Sequence, residues 1–572
     1  MKVADYIAEF LYEQNVTYVF EVVGGMITHM IDSIYRDGKI RIISVHHEQA
    51  AAFAAEGCAR ITGIPGVAMA TSGPGAVNLL TGIGSCYFDS IPAVFITGQV
   101  NRAEQKKGRS IRQLGFQETD IVSMANPITK AAWSLTDPDQ VPDLLQQAFQ
   151  LALSGRPGPV LLDIPMDVQR ADISADRAHK VSKVEEVYKQ QSEIEELIGR
   201  LVNAQRPLIL AGGGIHSACA LDQFRRFAEQ TGVPVVNSLM AVDALPYSHR
   251  LRVGLIGTYG NRWANLAMAE SDFLLVIGSR LDIRQTGSDV KAFKDKRTIY
   301  HVDCDAAEIN NRVEGCIPVI SHLLPFMINA IDIASNRVFP DRSVWISRIA
   351  GLKKQWPDTA EQPDIRGINP NHFMHLLSVS SPEATAYIVD VGQHQMWAGQ
   401  SLQLSANQRF LTSGGMGAMG SALPLAIGAA FTLGKPVVAI AGDGGFQINI
   451  QELQTIAHHK LPVKIIVINN KAYGMVRQFQ QSYFDERYQS TVWGVSAPDF
   501  SAVSKAYHIP AHTIKDPAEI KSALTELWKD PLNPFLLDVS IDLKANAYPK
   551  ISFGYPFTEM EPFLTEGSEQ QK

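Results

Sequence analysis

The glycine-flanked aspartate of Gly442-Asp443-Gly444-Gly445 follows the apolar run PVVAIA, and 27 positions after Asp443 the run LPVKIIVI leads into Asn469-Asn470. If the two runs are neighbouring parallel strands, their carboxyl ends open on one edge and Asp443 and Asn470 converge there. A carboxylate and an amide oxygen make a hard oxygen site suited to Mg²⁺. The glycines let the backbone approach a phosphate, and the following helix turns its N-terminal amides toward the negative charge. The spacing predicts a diphosphate–Mg²⁺ site; a glycine turn with a helix-capping aspartate is the plainer alternative. A Walker loop is absent, because Gly434-Lys435 is followed by Pro436. His46-His47-Glu48 invites a zinc reading, but no second histidine follows one helical turn later, which excludes the metalloprotease pattern.

These residues need a scaffold that aligns strand ends. Short Val- and Ile-rich runs alternate with Ala- and Leu-rich helical stretches along the chain, the pattern of parallel α/β sheets buried on both faces. Two polar stretches interrupt it, roughly Ala171 to Gln205 and Ala334 to Gly367, and both read as linkers between domains. Block one (GVAMA, TSGPGAVNLLTGIGSCYFDS, IPAVFITG) and block three (PVVAIA, GDGGFQINIQELQTIAHHK, LPVKIIVINN) each read as strand, glycine turn, helix, strand. Only the third places a carboxylate in the turn, which suggests duplicated domains dividing one job. The expected division is 1–180, 190–340 and 360–545, with 546–572 a closing segment and polar tail.

Of the 572 residues, 46% are hydrophobic and 19% charged, a balance suited to large cores and not to disorder. The 51 basic and 58 acidic residues nearly cancel to −7, with no basic block for nucleic acid. Five scattered cysteines without a C-x-x-C pair argue against a disulfide framework and for a reducing cytoplasm. The opening MKVADYIAEFLYEQ lacks a signal-peptide core, and no apolar run is long enough to span a membrane.

The Gly-Asp-Gly to Asn-Asn spacing is the signature of thiamine diphosphate enzymes. The segments VGQHQMWAGQ, LTSGGMGAMGSALPLAIGAA, HHEQAAAFAAEGCARITG, FQETDIV and GRPGPVLLDIPMDVQ resemble the acetolactate (acetohydroxyacid) synthase branch, in order over nearly the whole chain. The resemblance implies an α/β protein of three doubly wound parallel-sheet domains. An N-terminal pyrimidine-binding domain, a central Rossmann-like, FAD-binding domain and a C-terminal diphosphate/Mg²⁺-binding domain would follow one another.

It also assigns roles. Glu48, buried in apolar surroundings, would hydrogen-bond the aminopyrimidine ring and drive its tautomerisation. Met419 would wedge between the cofactor's rings, and the Gly417 carbonyl would accept the exocyclic amine. Gly392, Gln393 and His394 would line the diphosphate pocket together with Gly442, Gly444 and Gly445. Asp443, Asn470 and the carbonyl of Ala472 would hold Mg²⁺. Near the reacting carbons, Gly25 would allow close backbone approach and Gln117 would hydrogen-bond an oxyanion. Phe116 stands beside it, with core packing as its alternative role. In the central block, Gly213 and Gly214 would approach the FAD diphosphate, Arg280 and Arg284 would hold phosphate or ring oxygens, and Asp303 a polar edge. A retained but empty domain is the alternative; a bound flavin would be structural.

The chain departs from the family around the substrate. Met166 stands where a lysine is usual, and Phe479 where a tryptophan follows Gly-Met-Val, here Gly474-Met475-Val476. His46 replaces an arginine, and the Tyr-Pro-Gly-Gly turn has become Val22-Val23-Gly24-Gly25. The pocket is therefore less cationic and more apolar, as in carboligases that build branched-chain sugars from ketone acceptors. The expected activity is transfer of an acetyl unit from pyruvate to a carbonyl acceptor in a homodimer or homotetramer, with Glu48 and the Mg²⁺ residues on different subunits. Acetolactate synthase, 2-keto-acid decarboxylase, flavin-dependent pyruvate oxidase and a non-catalytic relative remain alternatives.

Overall fold

The computed structural model describes residues 1–174, 180–181 and 191–563. Its strands are short runs with both faces covered: Gly66–Ala70, Ala93–Gln99 and Val463–Asn469 are buried at every position. Buried on both sides, such runs pair in parallel and need helical crossovers. Among the described residues they form three six-stranded sheets whose registered pairs are parallel, from Tyr18–Val22 to Pro159–Pro165, Pro207–Ala211 to Ile317–Ile320, and Ala386–Val389 to Phe535–Ser540. Counted from 1 within each sheet, the first and third share the order 2-1-3-4-6-5, and the second reads 3-2-1-4-5-6, the Rossmann order. The repeated order bears out the expected kinship of the outer blocks.

The outer two sheets share one core. Helix Glu48–Thr62 lies against helix Ala422–Leu433 so closely that a Cβ on Gly57 would stand 2.3 Å from the Leu425 carbonyl oxygen, and one on Gly428 1.9 Å from that of Ala54. Both helices are rich in buried alanines, and residues of both sheets join them in one core. The central sheet has its own core around Phe224, Phe227 and Tyr300. It is tied to its neighbours by Arg156 to Glu308 (2.5 Å) and Arg409 to Asp243 (3.1 Å).

The middle of the second stretch expected to be a linker is a packed helix, Ser343–Gln355. Trp345, Ile349 and Leu352, at helical spacing, give it an apolar stripe that joins the central domain's second core. In the first stretch, helix Gln191–Asn203 is observed and residues 175–179 and 182–190 lie outside the described residues, as does the expected polar tail at 564–572. Residues 546–563 close over the central and C-terminal sheets, with Ala547, Ile551, Phe557 and Met560 buried. Among the described residues, no helix is long and apolar enough to cross a membrane.

Candidate active site

Strand ends at the carboxyl edge of the third sheet bring the expected diphosphate residues together. Asp443 opens a helix directly after strand Val437–Gly442, and Asn470 follows the adjacent strand Val463–Asn469. The Ala472 N–H donates to Asp443 Oδ2 (3.1 Å) and to Asn470 Oδ1 (3.2 Å), so the two oxygens lie side by side. Ala472 thus reaches the site through its N–H, beside the two oxygens. Burial pushes the Asp443 carboxyl up to about 6, a setting that an adjacent cation would reverse.

His394 is buried, and burial pushes its imidazole down to about 3, so the ring is neutral at physiological pH. Its Nε2 has no hydrogen-bond partner among the described residues. A Cβ on Gly392 would meet this ring at 2.6 Å and one on Gly442 at 3.0 Å, so the glycines make room for it. Gln393 accepts from Asn470 Nδ2 (3.3 Å) and donates to Gln478 (3.0 Å). Orphaned buried polar atoms are rare in folded proteins. One lying beside paired oxygen donors and a glycine-lined helix start fits a Mg²⁺-bound diphosphate. Gly444 and Gly445 are filled from within the chain: added Cβ atoms would strike the Tyr473 ring at 2.3 Å and Asp390 Oδ2 at 2.9 Å.

Asp390 went unread in the sequence. Buried at the end of strand Ala386–Val389, it accepts the Gly420 N–H on both oxygens (2.9 and 3.0 Å) and that of Val391 (2.7 Å). Burial pushes it up to about 7. Asp89, at the end of helix Leu80–Asp89 beside the first sheet, acts on the same loop, accepting from Gly414 and Gly415 while paired with Arg60. Together they hold the loop that carries Gly417, in left-handed conformation at φ +68°, and the half-buried Met419.

The N-terminal residues gather around the turn after strand Gly66–Ala70. Glu48 is 9% exposed at the first position of its helix, capped by His47, and accepts from Asn78 Nδ2 at 2.9 Å. A Cβ on Gly75 would lie 3.1 Å from Glu48 Oε1, and one on Gly73 3.0 Å from the Gln117 Cβ. Glu48 and Gln117 therefore flank one glycine turn. Gly24, more than Gly25, is demanded by the chain itself: its Cβ would meet Thr71 at 2.4 Å, whereas a Cβ on Gly25 would meet nothing within 4 Å. Phe116 is 80% exposed, so it is not core packing. Met166 and Met475 are half-buried, and Val476 and Phe479 are exposed on helix Gly474–Tyr483.

No hydrogen bond among the described residues joins Glu48, Gly25 or Gln117 to the Asp443 cluster. Both edges instead expose large apolar side chains: Val23, Val77 and Phe116 on one, Met416, Ile448, Val476 and Phe479 on the other.

A cavity of about 1110 Å³ between the three sheets is lined by Gly213, Gly214, Arg280, Arg284 and Asp303, the five residues expected to meet a flavin. A Cβ on Gly212 would stand 2.0 Å from the Gly278 carbonyl oxygen and one on Gly214 2.9 Å from the Gly278 Cα, so these glycines answer first to their own packing. Ser238 Oγ on the wall is buried without a partner among the described residues. Arg284 is in no ion pair among them, while Arg280 reaches Asp282 at 3.3 Å. Burial raises Asp303 above its ordinary range. An elongated, phosphate-bearing ligand fits this donor set.

Three thiamine pyrophosphate enzyme families match: the N-terminal TPP binding domain over residues 1–124, the central domain over 194–328 and the C-terminal TPP binding domain over 390–539. The chain is 35% identical to the acetolactate synthase large subunit of Lactococcus lactis subsp. lactis, over 97% of this chain and 95% of that one. It is 37% identical to that of Corynebacterium glutamicum (96% and 88%) and 36% identical to the acetolactate synthase isozyme 2 large subunit of Escherichia coli K12 (98% and 99%).

Proposed function

The chain belongs to the acetolactate synthase large-subunit family of thiamine pyrophosphate enzymes, and from that premise we propose that it is a decarboxylating carboligase using pyruvate as acetyl donor. The observation that carries this reading is the pairing of Asp443 and Asn470 on one sheet edge beside the unpartnered Nε2 of His394. Thiamine diphosphate, when bound, supplies the electron sink that decarboxylation of a 2-keto acid requires.

The chain's own residues do the rest. Asp443 and Asn470, with Ala472 beside them, would hold Mg²⁺, and Gly392, Gln393, His394, Gly442, Gly444 and Gly445 would form the diphosphate cradle. Gly417 and Met419 would support the rings, held in place by Asp390 and Asp89. Glu48 would hold and move a proton at its carboxyl group, out of bulk water. Gln117 would donate to a developing oxyanion, and Gly25, where an added Cβ would meet nothing within 4 Å, would allow close approach of the reacting carbons. FAD is proposed for the cavity between the sheets as a structural group. The apolar residues exposed at both catalytic edges support a homodimer or homotetramer in which one subunit's Glu48 edge covers another's Asp443 edge. A cytoplasmic location suits the five unpaired cysteines.

Two acceptors have support. The full-length relatives named acetolactate synthase favour a second pyruvate. Met166 and the exposed Phe479 favour a ketone without a carboxylate. Incubation with pyruvate alone and with a panel of ketones and aldehydes, with products identified by mass, decides between them. No pyruvate consumption by the thiamine diphosphate- and Mg²⁺-loaded protein would reject the carboligase reading.

A further inference from the structure

Asp163 lies in strand Pro159–Pro165 and is 3% exposed. Its Oδ1 accepts from the Thr97 hydroxyl at 2.7 Å and its Oδ2 from Gln99 Nε2 at 3.0 Å. The same Gln99 nitrogen donates to the Thr119 carbonyl oxygen at 2.8 Å, while Gln99 Oε1 accepts the Val100 N–H at 3.0 Å. Every polar group of the Gln99 amide is thereby committed, and its two N–H bonds join the sheet to the turn at 117–119. That turn needs holding. Gln117 has φ +66°, a left-handed conformation that non-glycine residues keep only when their surroundings enforce it. Thr119 Oγ1 approaches the Gln117 carbonyl oxygen at 3.4 Å, and the Gln117 Cβ rests against Gly73.

We propose that Asp163 is a positioning residue for Gln117, acting through Gln99 on the 117–119 turn. The inference rests on the reading of Gln117 as the oxyanion donor. The arrangement needs Asp163 ionised. A proton on Oδ2 sets a second donor against the Gln99 N–H; one on Oδ1 reverses the Thr97 bond and reduces the Gln99 bond from charge-assisted to neutral.

Burial pushes Asp163 up to about 7, with Asp120 adding to the rise, so the switch falls at neutral pH. Strands Ala93–Gln99 and Ala131–Ser134 bring no charged side chain. On the helices packed against this strand, Asp89 is paired with Arg60, Asp167 with Arg102, Arg170 with Asn101, and Asp143 acts on Tyr6. Asp120 is the charge that acts on Asp163.

The experiment uses the protein loaded with thiamine diphosphate and Mg²⁺. The ratio of carboligation product to released aldehyde is followed with pH, together with hydrogen exchange across 113–120 corrected for its intrinsic pH dependence. The wild type should lose carboligation, and exchange faster in this segment, as pH falls through about 7. Asp163→Asn offers an oxygen to Gln99 and an N–H to Thr97 at every pH, and should abolish that inflection. Gln99→Leu should lower carboligation by about 10- to 100-fold at all pH values and speed exchange in the same segment. An identical inflection in wild type and Asp163→Asn, or exchange across 113–120 indifferent to pH and to Gln99→Leu, would overturn the proposal. Full carboligation in Gln117→Ala with the exchange effects intact would instead reject Gln117 as the oxyanion donor.

Discussion

The Asn78 side-chain amide donates to the Glu48 carboxylate at 2.9 Å across the glycine turn that both flank. It is the one side-chain hydrogen bond of Glu48 among the described residues, and Oε1 lies on the Gly75 side, where an added Cβ would stand 3.1 Å away. A carboxyl group so placed is held in orientation by a neutral partner, while its other oxygen accepts no hydrogen bond among the described residues.

Glu48→Ala should therefore lower pyruvate turnover by about 10³-fold or more while thiamine diphosphate affinity changes little. Exchange of the cofactor's acidic ring proton, followed by NMR, checks the step directly; normal exchange in the variant would remove the role. Asn78→Ala should give a smaller loss, about tenfold, since orientation and not the carboxyl is removed.

Asp443→Ala should abolish Mg²⁺-dependent binding of thiamine diphosphate, measured by calorimetry with and without the metal. Loss of one of two side-chain oxygens leaves Asn470 as the remaining side-chain donor for a hard cation. Unchanged affinity would refute the metal assignment.

Asp390, pushed up to about 7 by burial, gives a pH-dependent stability of defined sign. Its folded-state value lies above the unfolded one, so its favourable contribution is complete below the unfolded value and is lost as pH rises through about 7. In the protein freed of cofactor, Asp390→Asn should gain stability relative to wild type between about pH 5 and pH 8, read from denaturant midpoints. An equal difference at both values would contradict it.

Arg262 and Glu361 form a buried two-pronged pair, at 2.8 and 2.6 Å, and Arg262 also donates to the carbonyls of Met560 and Pro562 in the closing segment. Removing one partner from such a pair costs about 3–5 kcal/mol, because the other charge is left buried. Glu361→Ala should lower the thermal midpoint and speed proteolysis after residue 545; resistance equal to wild type would show that the pair does not hold the segment.

Met166→Lys should raise kcat/KM for a keto-acid acceptor over a matched ketone by about tenfold, the worth of one new charge-assisted contact. A constant ratio would place the acceptor's far end elsewhere.

How much of this was legible depends on the kind of residue. Asp443 and Asn470 could be read because the geometry that joins them is local to each strand end: a buried run, a glycine turn, and a neighbouring run ending in an amide. Glu48 was legible through the likeness of HHEQA and its flanks to a family, since a glutamate at a helix start is commonplace. Residues 343–355 were misread as linker because their charges mask the stripe of Trp345, Ile349 and Leu352.

Asp390, Asp89 and Asp163 gave no signal. Their partners lie elsewhere along the chain: Gly420 is 30 positions from Asp390, Gly415 is 326 from Asp89, and Gln99 is 64 from Asp163. No local spacing records such a pairing.

The amino-acid order by itself determined the parallel sheets, the glycine turns and the chemistry offered at each strand end, because those follow from periodicity and residue type within a few positions. Tertiary structure alone decided which strand ends face which, that a cavity opens between the three sheets, and which buried carboxylates brace the loops around them. Burial and hydrogen bonding act through space, and a carboxylate takes its role from whatever the fold carries to it.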